Sequence, residues 1–435
     1  LSPLLHWGFL ILLSYFLMIC MTSIFSRQWI VNERVNFPLF RVPQLMGEAH
    51  DQGQLFPFLF NHFLLVGVLC TVCLHTLDGL NFYYPAVPEL PRVVLAGDYF
   101  PKYGLFSGFH KLKISLYPAF IGFAYLTTRQ ISFSMWFFYL FGCLLFGLLY
   151  VFGLQFPESA LGVTFGPTLS RPEEGQIIGS YLIYFFFLIW LARRHLVDGI
   201  ARAVGRRDGP EGAPVWALWG FCLGMITLMA LSHHMGMSLP AAILLPLAFF
   251  FILLVISRLI CQGGLPYFTL TAAPSDGLTA LFGSSFFGRT GLLAAAVIQK
   301  VLYVDLRETL MPSLFHQHKA TEKTANRPFV HIFIVVALIL AVVCSFASLL
   351  AIYHKFGIRE LSLDWATTST HAVYESADKL LAEPSDPNHW LIIFAVAGGL
   401  AMSFLVVMYY RFSWWPIHPL GYLAMYMEGM RMLWF

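Results

Sequence analysis

Apolar residues occur in long runs along the whole chain, and short polar loops separate the runs. The stretches 131–154 and 329–353 are two examples. A helix needs about 20 apolar residues to cross the hydrocarbon core of a bilayer, and these runs reach that length with almost no charge. Because lipid offers no partner to backbone polar groups, each run predicts a helix. The pattern therefore predicts an all-α, polytopic membrane bundle.

The runs predict about ten crossings, with boundaries placed to within a few residues. They lie at 3–24, 55–75, 113–128, 131–154, 176–192, 213–232, 239–257, 328–354, 389–410 and 416–435. Composition agrees, because 58% of residues are hydrophobic and 11% are charged, against about 25% charged in soluble domains. The net charge of +3 gives no argument for nucleic acid. The predicted partner is the lipid bilayer.

Charge in the loops predicts the orientation of the bundle. The loops 192–212 and 300–327 are rich in Lys and Arg, whereas 355–388 is rich in Asp and Glu. By the positive-inside rule, the first two are predicted to be cytoplasmic and the third external. The same count makes 76–112 an external cap loop. We expect one transmembrane domain over 1–435, truncated at both ends, in the inner (cytoplasmic) membrane of a cell.

The segment 262–300 does not fit a simple crossing. It contains eight glycines and prolines, with Ser284 and Ser285 at its centre; these breakers are Gly263, Gly264, Pro266, Pro274, Gly277, Gly283, Gly288 and Gly291. The pattern predicts a re-entrant hairpin or a pair of broken helices. Transporters place substrate sites at such breaks. An amphipathic helix lying on the membrane surface is the alternative.

A charged segment at 27–39 follows the first crossing. Glu33 has arginines on both sides and is predicted to pair across a gate, and Pro38 breaks the backbone. Glu33 and Arg34 are predicted to face a substrate pathway, with Arg27, Asn32 and Pro38 at the gate. The alternative is a charged loop that only fixes topology.

The segment 414–422 places two tryptophans before a histidine that prolines flank. Trp414 and Trp415 are typical of a membrane interface. His418 is predicted to face a cavity and to titrate near neutrality; the alternative is a helix cap. The gate set also includes Trp414, Trp415, Pro416 and Pro419.

No catalytic constellation is visible. The chain has no phosphate loop, no zinc-protease motif and no nucleophile elbow, so we do not expect an enzyme. Cys70 and Cys73 have CxxC spacing but lie within an apolar run, where cysteine acts as a small hydrophobe. No metal or cofactor is predicted, although a single histidine would suffice to hold a pigment. Charge inside the crossings is nearly absent, so an acid for proton coupling must come from a broken region or a missing part of the chain.

Three segments together carry a resemblance: the one at 27–39, the Gly/Pro-broken region and the Trp-Trp-Pro-Ile-His-Pro-Leu-Gly stretch. They resemble an uncharacterised family of bacterial multi-pass membrane proteins, defined only as a domain of unknown function. That family looks like a distant relative of the oligopeptide transporter superfamily. Asn32, Glu33, Arg34, Phe37 and Pro38 match its first motif. The resemblance implies a helical bundle with further helices beyond both ends of this chain.

Two functions are expected from different classes. The first is a secondary transporter for small peptides or related solutes, with Glu33, Arg34, Ser284, Ser285 and His418 along its pathway. The second is a non-catalytic transmembrane subunit of a larger respiratory or photosynthetic complex. Scarce buried charge and abundant aromatic residues favour the second. Either one is compatible with a homo-oligomer.

Overall fold

The computed structural model describes residues 2–88, 93–115, 117–154, 172–206, 212–266, 268, 273–303, 309–322, 327–357, 364–427 and 430. These residues are mostly helical, so the all-α prediction is confirmed. The helices are α1 (Ser2–Arg27), α2 (Arg41–Asp51), α3 (Leu55–Leu59), α4 (His62–Tyr83), α5 (Pro118–Leu126), α6 (Arg129–Val151), α7 (Gln176–Leu191), α8 (Arg193–Ala203), α9 (Val215–His234), α10 (Leu239–Gly263), α11 (Pro274–Phe282), α12 (Arg289–Tyr303), α13 (Leu310–Ala320), α14 (Arg327–Phe356), α15 (Asp364–Ala382), α16 (His389–Arg411) and α17 (Pro419–Leu423). Two short strands, β1 (Val93–Val94) and β2 (Ile114–Ser115), pair antiparallel.

Eight stretches within the described residues are long and apolar enough to cross a membrane. They are Leu4–Asn32, His62–Tyr83, Arg129–Val151, Glu173–Leu191, Val215–His234, Leu239–Gly263, Ile332–Phe356 and His389–Arg411. Two predicted crossings are not among them. The one at 113–128 contains only the nine-residue α5, because β2 and Pro118 interrupt it. The one at 416–435 contains the five-residue α17, and residues 428, 429 and 431–435 lie outside the described part.

The chain divides into two compact units, each assembled from separate stretches. The first unit comprises Leu1–Val35, Pro157–Ser257 and Leu270–Ala401. The second unit comprises Asn36–Phe156, Arg258–Thr269 and Met402–Phe435. Helices α10 and α16 contribute residues to both. The single transmembrane domain over 1–435 stays a prediction.

Helices of the first unit approach closely where small residues meet. A β-carbon at Gly179 of α7 would overlap the carbonyl of Ala395 of α16, and one at Gly398 would overlap the backbone of Gln176. The Ser180 hydroxyl also donates to the Gly398 carbonyl at 3.2 Å. Small residues allow apolar helices to pack backbone to backbone, which is how helices associate in lipid. This contact fixes α7, which forms one wall of the candidate site below.

The second unit packs α17 against α6. A β-carbon at Gly421 would lie 2.5 Å from the backbone of Ser134. Phe138 of α6 meets the Tyr422 ring edge-on, with centroids 5.2 Å apart. This packing buries the start of α17 and the residue before it, His418, which is 3% exposed.

The long loops contain regular structure. A helix of nineteen residues, α15, occupies much of the predicted external loop 355–388. The predicted cap loop 76–112 begins inside α4, which continues to Tyr83. It then holds β1 and two 3₁₀ turns, at Ala96–Tyr99 and Ser107–Lys111. The external placement of both loops stays a prediction.

Candidate functional site

Helical structure is interrupted within the segment 262–300, and its course through a membrane, re-entrant or not, stays a prediction. Helix α10 ends at Gly263, and α11 and α12 flank the 3₁₀ turn Ser284–Phe287. Gly283 and Gly288 border that turn with φ of 83° and 79°. A side chain rarely adopts this backbone region, which glycine reaches without strain. The glycines therefore end one short helix and start the next within a few residues.

A buried polar cluster lies at the start of α11. Ser275, Asp276 and Thr279 of α11 and Gln299 of α12 are each at most 1% exposed. The Ser275 backbone N–H donates to Oε1 of Gln299 at 2.5 Å, and its hydroxyl donates to the same oxygen. Nε2 of Gln299 donates to Oδ2 of Asp276 at 3.3 Å. One amide side chain thus links a helix N-terminus to a buried carboxylate.

The position of Asp276 suits a negative charge. It lies in the first turn of α11, where backbone N–H groups lack helical partners and the helix dipole is positive. The Gln299 side chain supplies the cap that Ala273, at the N-cap position, does not provide. Burying a carboxylate costs free energy unless hydrogen bonds compensate, so this cluster is a costly feature in an otherwise apolar region.

An apolar cavity of about 290 Å³ borders the opposite face of α11. Pro274, Gly277, Leu278 and Leu281 of α11 line it; their i, i+3, i+4, i+7 spacing is one face of a helix. Side chains of α7 and α10 form the other walls, including Tyr181 and Phe251. The short helix α11 therefore separates a polar cluster from an apolar cavity.

Ser284 and Ser285 have different environments. Ser284 is 4% exposed; its backbone N–H donates to the Ser385 carbonyl at 2.9 Å. The Ser385 backbone N–H donates in turn to the Ser284 hydroxyl at 2.9 Å. Ser285 is exposed. These contacts attach the turn to the segment before α16, and the pathway role of both serines stays a prediction.

The second unit holds a separate polar cluster around His418. Nδ1 of His418 accepts from the Leu420 backbone N–H at 3.1 Å, so the ring caps α17. Its own backbone N–H donates to the Ser134 hydroxyl at 2.6 Å. Nε2 lies 3.2 Å from Nε2 of Gln262, whose Oε1 accepts from Nε of the buried Arg258 at 2.8 Å. The geometry therefore supports the alternative that His418 caps a helix.

The prediction that His418 titrates near neutrality is wrong. His418 lies outside all eight candidate spans. Burial, and then the Arg258 guanidinium, lower the pKa of His418 to about 3. The ring therefore stays neutral near pH 7.

The charged segment at 27–39 begins with a π-helical turn, Gln28–Asn32, that continues α1. Nε2 of Gln28 donates to Oε1 of Glu33 at 2.9 Å, and Nδ2 of Asn32 donates to Oε1 of Gln28 at 2.8 Å. Arg34 is exposed with φ of 52°. Arg27, the last residue of α1, is exposed too. Glu33 thus bonds to an amide of its own segment, and the gate role stays a prediction.

The remaining gate residues divide by exposure. Trp414 is 68% exposed, Pro416 is exposed and Trp415 is partly buried. Pro419 is buried at the first turn of α17, and Pro38 is buried at the start of the 3₁₀ turn Pro38–Phe40. Both prolines begin helical turns, the position where proline costs least.

Sequence comparison assigns the chain to a family. The chain belongs to the family of unknown function DUF6785. The match covers residues 1–435. No curated protein and no solved structure matches the chain. Membership of an uncharacterised family, as predicted, is thereby confirmed.

Sequence reasoning missed four polar residues of this DUF6785 member: Asp276 and Gln299 in the first unit, and Arg258 and Gln262 in the second. Ser275 and Asp276 directly follow Pro274, a pattern that marks a helix start and predicts a first-turn carboxylate. The apolar run predicts a seventh crossing that ends at 257 and so leaves Arg258 outside it, whereas α10 continues to Gly263. Among the residues that the structure describes, no group of three or more His, Cys, Asp or Glu is placed to hold a metal ion.

Proposed function

We propose that this chain is a polytopic membrane protein that acts as a secondary transporter of small peptides or related solutes, with the α11–α12 break as its coupling element. The observation that carries the proposal is Asp276, a fully buried carboxylate at the first turn of a broken helix. Ionisable residues among membrane helices are expensive and usually functional. Broken helices in transporters place their free ends at the binding site.

In this proposal Asp276 is the proton-coupling acid. Gln299 and the first-turn backbone N–H groups stabilise its ionised form. Protonation removes the charge that the dipole of α11 favours and weakens the link to α12. A carboxyl group that takes a proton on one side of the membrane and releases it on the other then alternates between two bonding arrangements. The glycines that bound the turn allow α11 to move relative to α12.

Asp276→Asn tests coupling separately from transport. Proteoliposomes containing the purified chain would be given labelled di- and tripeptides under a pH gradient, and then under counterflow with no gradient. We expect gradient-driven uptake to be lost in Asp276→Asn, because an amide cannot carry the proton, while counterflow exchange continues. The matched control is Asp378→Asn, an exposed aspartate on α15, which should behave as wild type. Gradient-driven uptake at the wild-type rate in Asp276→Asn would refute the coupling role.

The finer parts of the proposal have their own tests. Absence of uptake for every di- and tripeptide in wild-type proteoliposomes would remove peptides as the substrate class. Placement in the inner membrane of a bacterium predicts that the chain separates with inner-membrane markers when cell membranes are fractionated. Residues Glu33, Arg34 and His418 stay predicted pathway residues, and alanine substitutions at each would show whether uptake depends on them.

A non-transporting subunit of a larger membrane complex is the second candidate. The observation that favours it concerns two helices: the apolar windows of α4, in the second unit, and α14, in the first unit, contain no buried residue. Such surfaces can be covered by lipid or, equally well, by helices of partner subunits. Gentle purification from native membranes, followed by mass spectrometry and an absorption spectrum, distinguishes the candidates. Fixed partners or bound pigment would favour the subunit, and a chain isolated alone would favour the transporter.

A further inference from the structure

The cavity beside α11 has a chemistry different from that of the polar cluster. Among the described residues that line it, none is charged, and the phenol of Tyr181 is the one side chain with a polar atom. The floor is buried, since Ile177 is 1% and Leu278 is 8% exposed. The rim is open, since Leu182 and Phe282 are both 47% exposed. A ligand can therefore enter from the surface without any movement of the helices.

We propose that this cavity binds one acyl chain of a membrane phospholipid. Its walls come from α7 and α10, and both contain stretches apolar enough to cross a bilayer. Once these helices lie in a membrane, the surrounding solvent is itself made of acyl chains. An apolar pocket of about 290 Å³ with an open rim then fills with the solvent it faces.

The lining also distinguishes a phospholipid from a free fatty acid. A fatty acid carries a carboxylate next to its chain, and such a group needs a cation or several hydrogen-bond donors. The described lining supplies neither. A phospholipid places its polar headgroup farther along the molecule, so that the chain alone enters. The inference rests on the membrane placement proposed above and not on transport.

Gly277 lines the cavity and presents no side chain to it. A β-carbon there would lie 3.6 Å from Cδ1 of Ile178, an ordinary contact, and the backbone has no positive φ that would exclude other residues. Gly277→Leu is therefore tolerated sterically at its first carbon while the rest of the side chain fills the cavity. Ala248→Phe fills the same space from α10. The matched controls are Gly67→Leu on α4, where a β-carbon meets nothing, and Ala351→Phe on the exposed face of α14.

The experiment uses the whole chain in liposomes that contain a phosphatidylcholine with a photoreactive group on one acyl chain. After illumination and proteolysis, mass spectrometry locates the labelled peptides. We expect labels concentrated on the lining residues of α7, α10 and α11. In Gly277→Leu and Ala248→Phe this labelling should fall about tenfold, since losing contact with roughly two methylene groups lowers affinity by that factor. The two control variants should label as wild type.

Three outcomes would overturn the proposal. Labels spread evenly over all the spans would mean that the cavity holds no preferred chain. Unchanged labelling in folded, cavity-filled variants would place the bound chain elsewhere. Stronger labelling by a photoreactive free fatty acid, tested in parallel, would assign the cavity to that ligand instead. If neither variant folds, the positions of the labels on the wild-type chain decide the question, since labels outside the lining residues would overturn the proposal. Absence of peptide uptake by a wild-type chain that is still labelled at the cavity would contradict peptide transport and leave the lipid site intact.

Discussion

The break at α11–α12 buries an acidic side chain, and the region around His418 buries a basic one. Each interrupts the helical pattern with glycine or proline, and each buries an ionisable group that hydrogen-bonds to a glutamine. In the first unit the group is the Asp276 carboxylate and its partner is Gln299. In the second unit it is the Arg258 guanidinium, which donates to Gln262.

The difference lies in what else each region provides. Asp276 stands at the positive end of a short helix whose other face borders an apolar cavity. His418 is closed in by α6 and by Tyr409, whose ring centroid lies 4.4 Å away. A short helix with a cavity along one face has room to shift and so to change the bonding of its carboxylate, whereas a capped and packed imidazole mainly fixes the fold. The comparison therefore favours the first region as functional and the second as structural.

Gln299→Leu gives the largest expected effect and tests whether the α11 cluster depends on one side chain. The change leaves the Ser275 N–H, its hydroxyl and Asp276 without that partner. Because each such buried group costs about 1–3 kcal/mol, we expect a loss of about 4 kcal/mol in the free energy of unfolding. Titration with sodium dodecyl sulfate, followed by circular dichroism, measures it.

The exposed Gln52→Leu serves as the control for that change and should have almost no effect. A loss no larger than that of the control would mean that water or other residues replace Gln299 as the partner of these groups.

Gly283→Ala and Gly288→Ala sharpen the account of the turn between the two helices. Both residues have positive φ, which costs a non-glycine residue roughly 1–3 kcal/mol. At Gly283 the added carbon would also lie 2.7 Å from the Ser385 carbonyl oxygen, whereas at Gly288 the nearest atom is 3.9 Å away. We expect a loss of about 3 kcal/mol at Gly283 and about 1–2 kcal/mol at Gly288, measured by the same titration. Equal losses at the two positions would show that backbone strain alone, and not the contact with the Ser385 carbonyl, causes the loss in unfolding free energy.

Sequence patterns predicted the broken region well and its chemistry poorly. The glycine and proline spacing of 262–300 carries a backbone signal, so the break could be found without any structure. The partnership of Asp276 with Gln299 joins residues 23 positions apart, on helices whose relative rotation no local pattern specifies. His418 stands out because rare residues surround it and its cap on Leu420 is local, but its backbone also donates to Ser134, which is 284 positions away. Local rules located the interruptions, and long-range packing assigned their roles.

A pH titration of stability tests the structural role of His418. The pKa of His418 is lowered to about 3 in the folded chain, whereas a histidine in the unfolded chain has a pKa of about 6.5. Between these values the unfolded chain binds more protons, so stability must fall as pH decreases below about 6.5. The slope contributed by this one group is at most about 1.4 kcal/mol per pH unit. Unfolding midpoints in detergent between about pH 7 and about pH 5 would measure it.

His418→Asn is the informative variant for that titration. Asparagine keeps an oxygen that can accept from the Leu420 N–H as a helix cap but does not titrate. We expect the variant to lose the histidine contribution to the slope while it keeps most of the stability at about pH 7. His389→Gln changes an exposed histidine and should leave the slope as in wild type. An unaltered slope in His418→Asn would mean that other groups cause the acid sensitivity.

Trp414→Ala has the smallest expected effect and separates packing from membrane anchoring. Trp414 is 68% exposed, so its loss should change the unfolding free energy in detergent by no more than about 0.5 kcal/mol. Aromatic rings of this kind hold helices at the headgroup level. In liposomes, the remaining tryptophans of this variant should therefore be quenched more strongly by an aqueous quencher than those of the wild type. Trp415 is more buried and contacts Phe404 with ring centroids 5.8 Å apart. Trp415→Ala should therefore lower the unfolding free energy in detergent by more than Trp414→Ala does. A large detergent effect for Trp414→Ala would reveal a packing role, and the segment around His418 would then extend to the surface that this ring occupies.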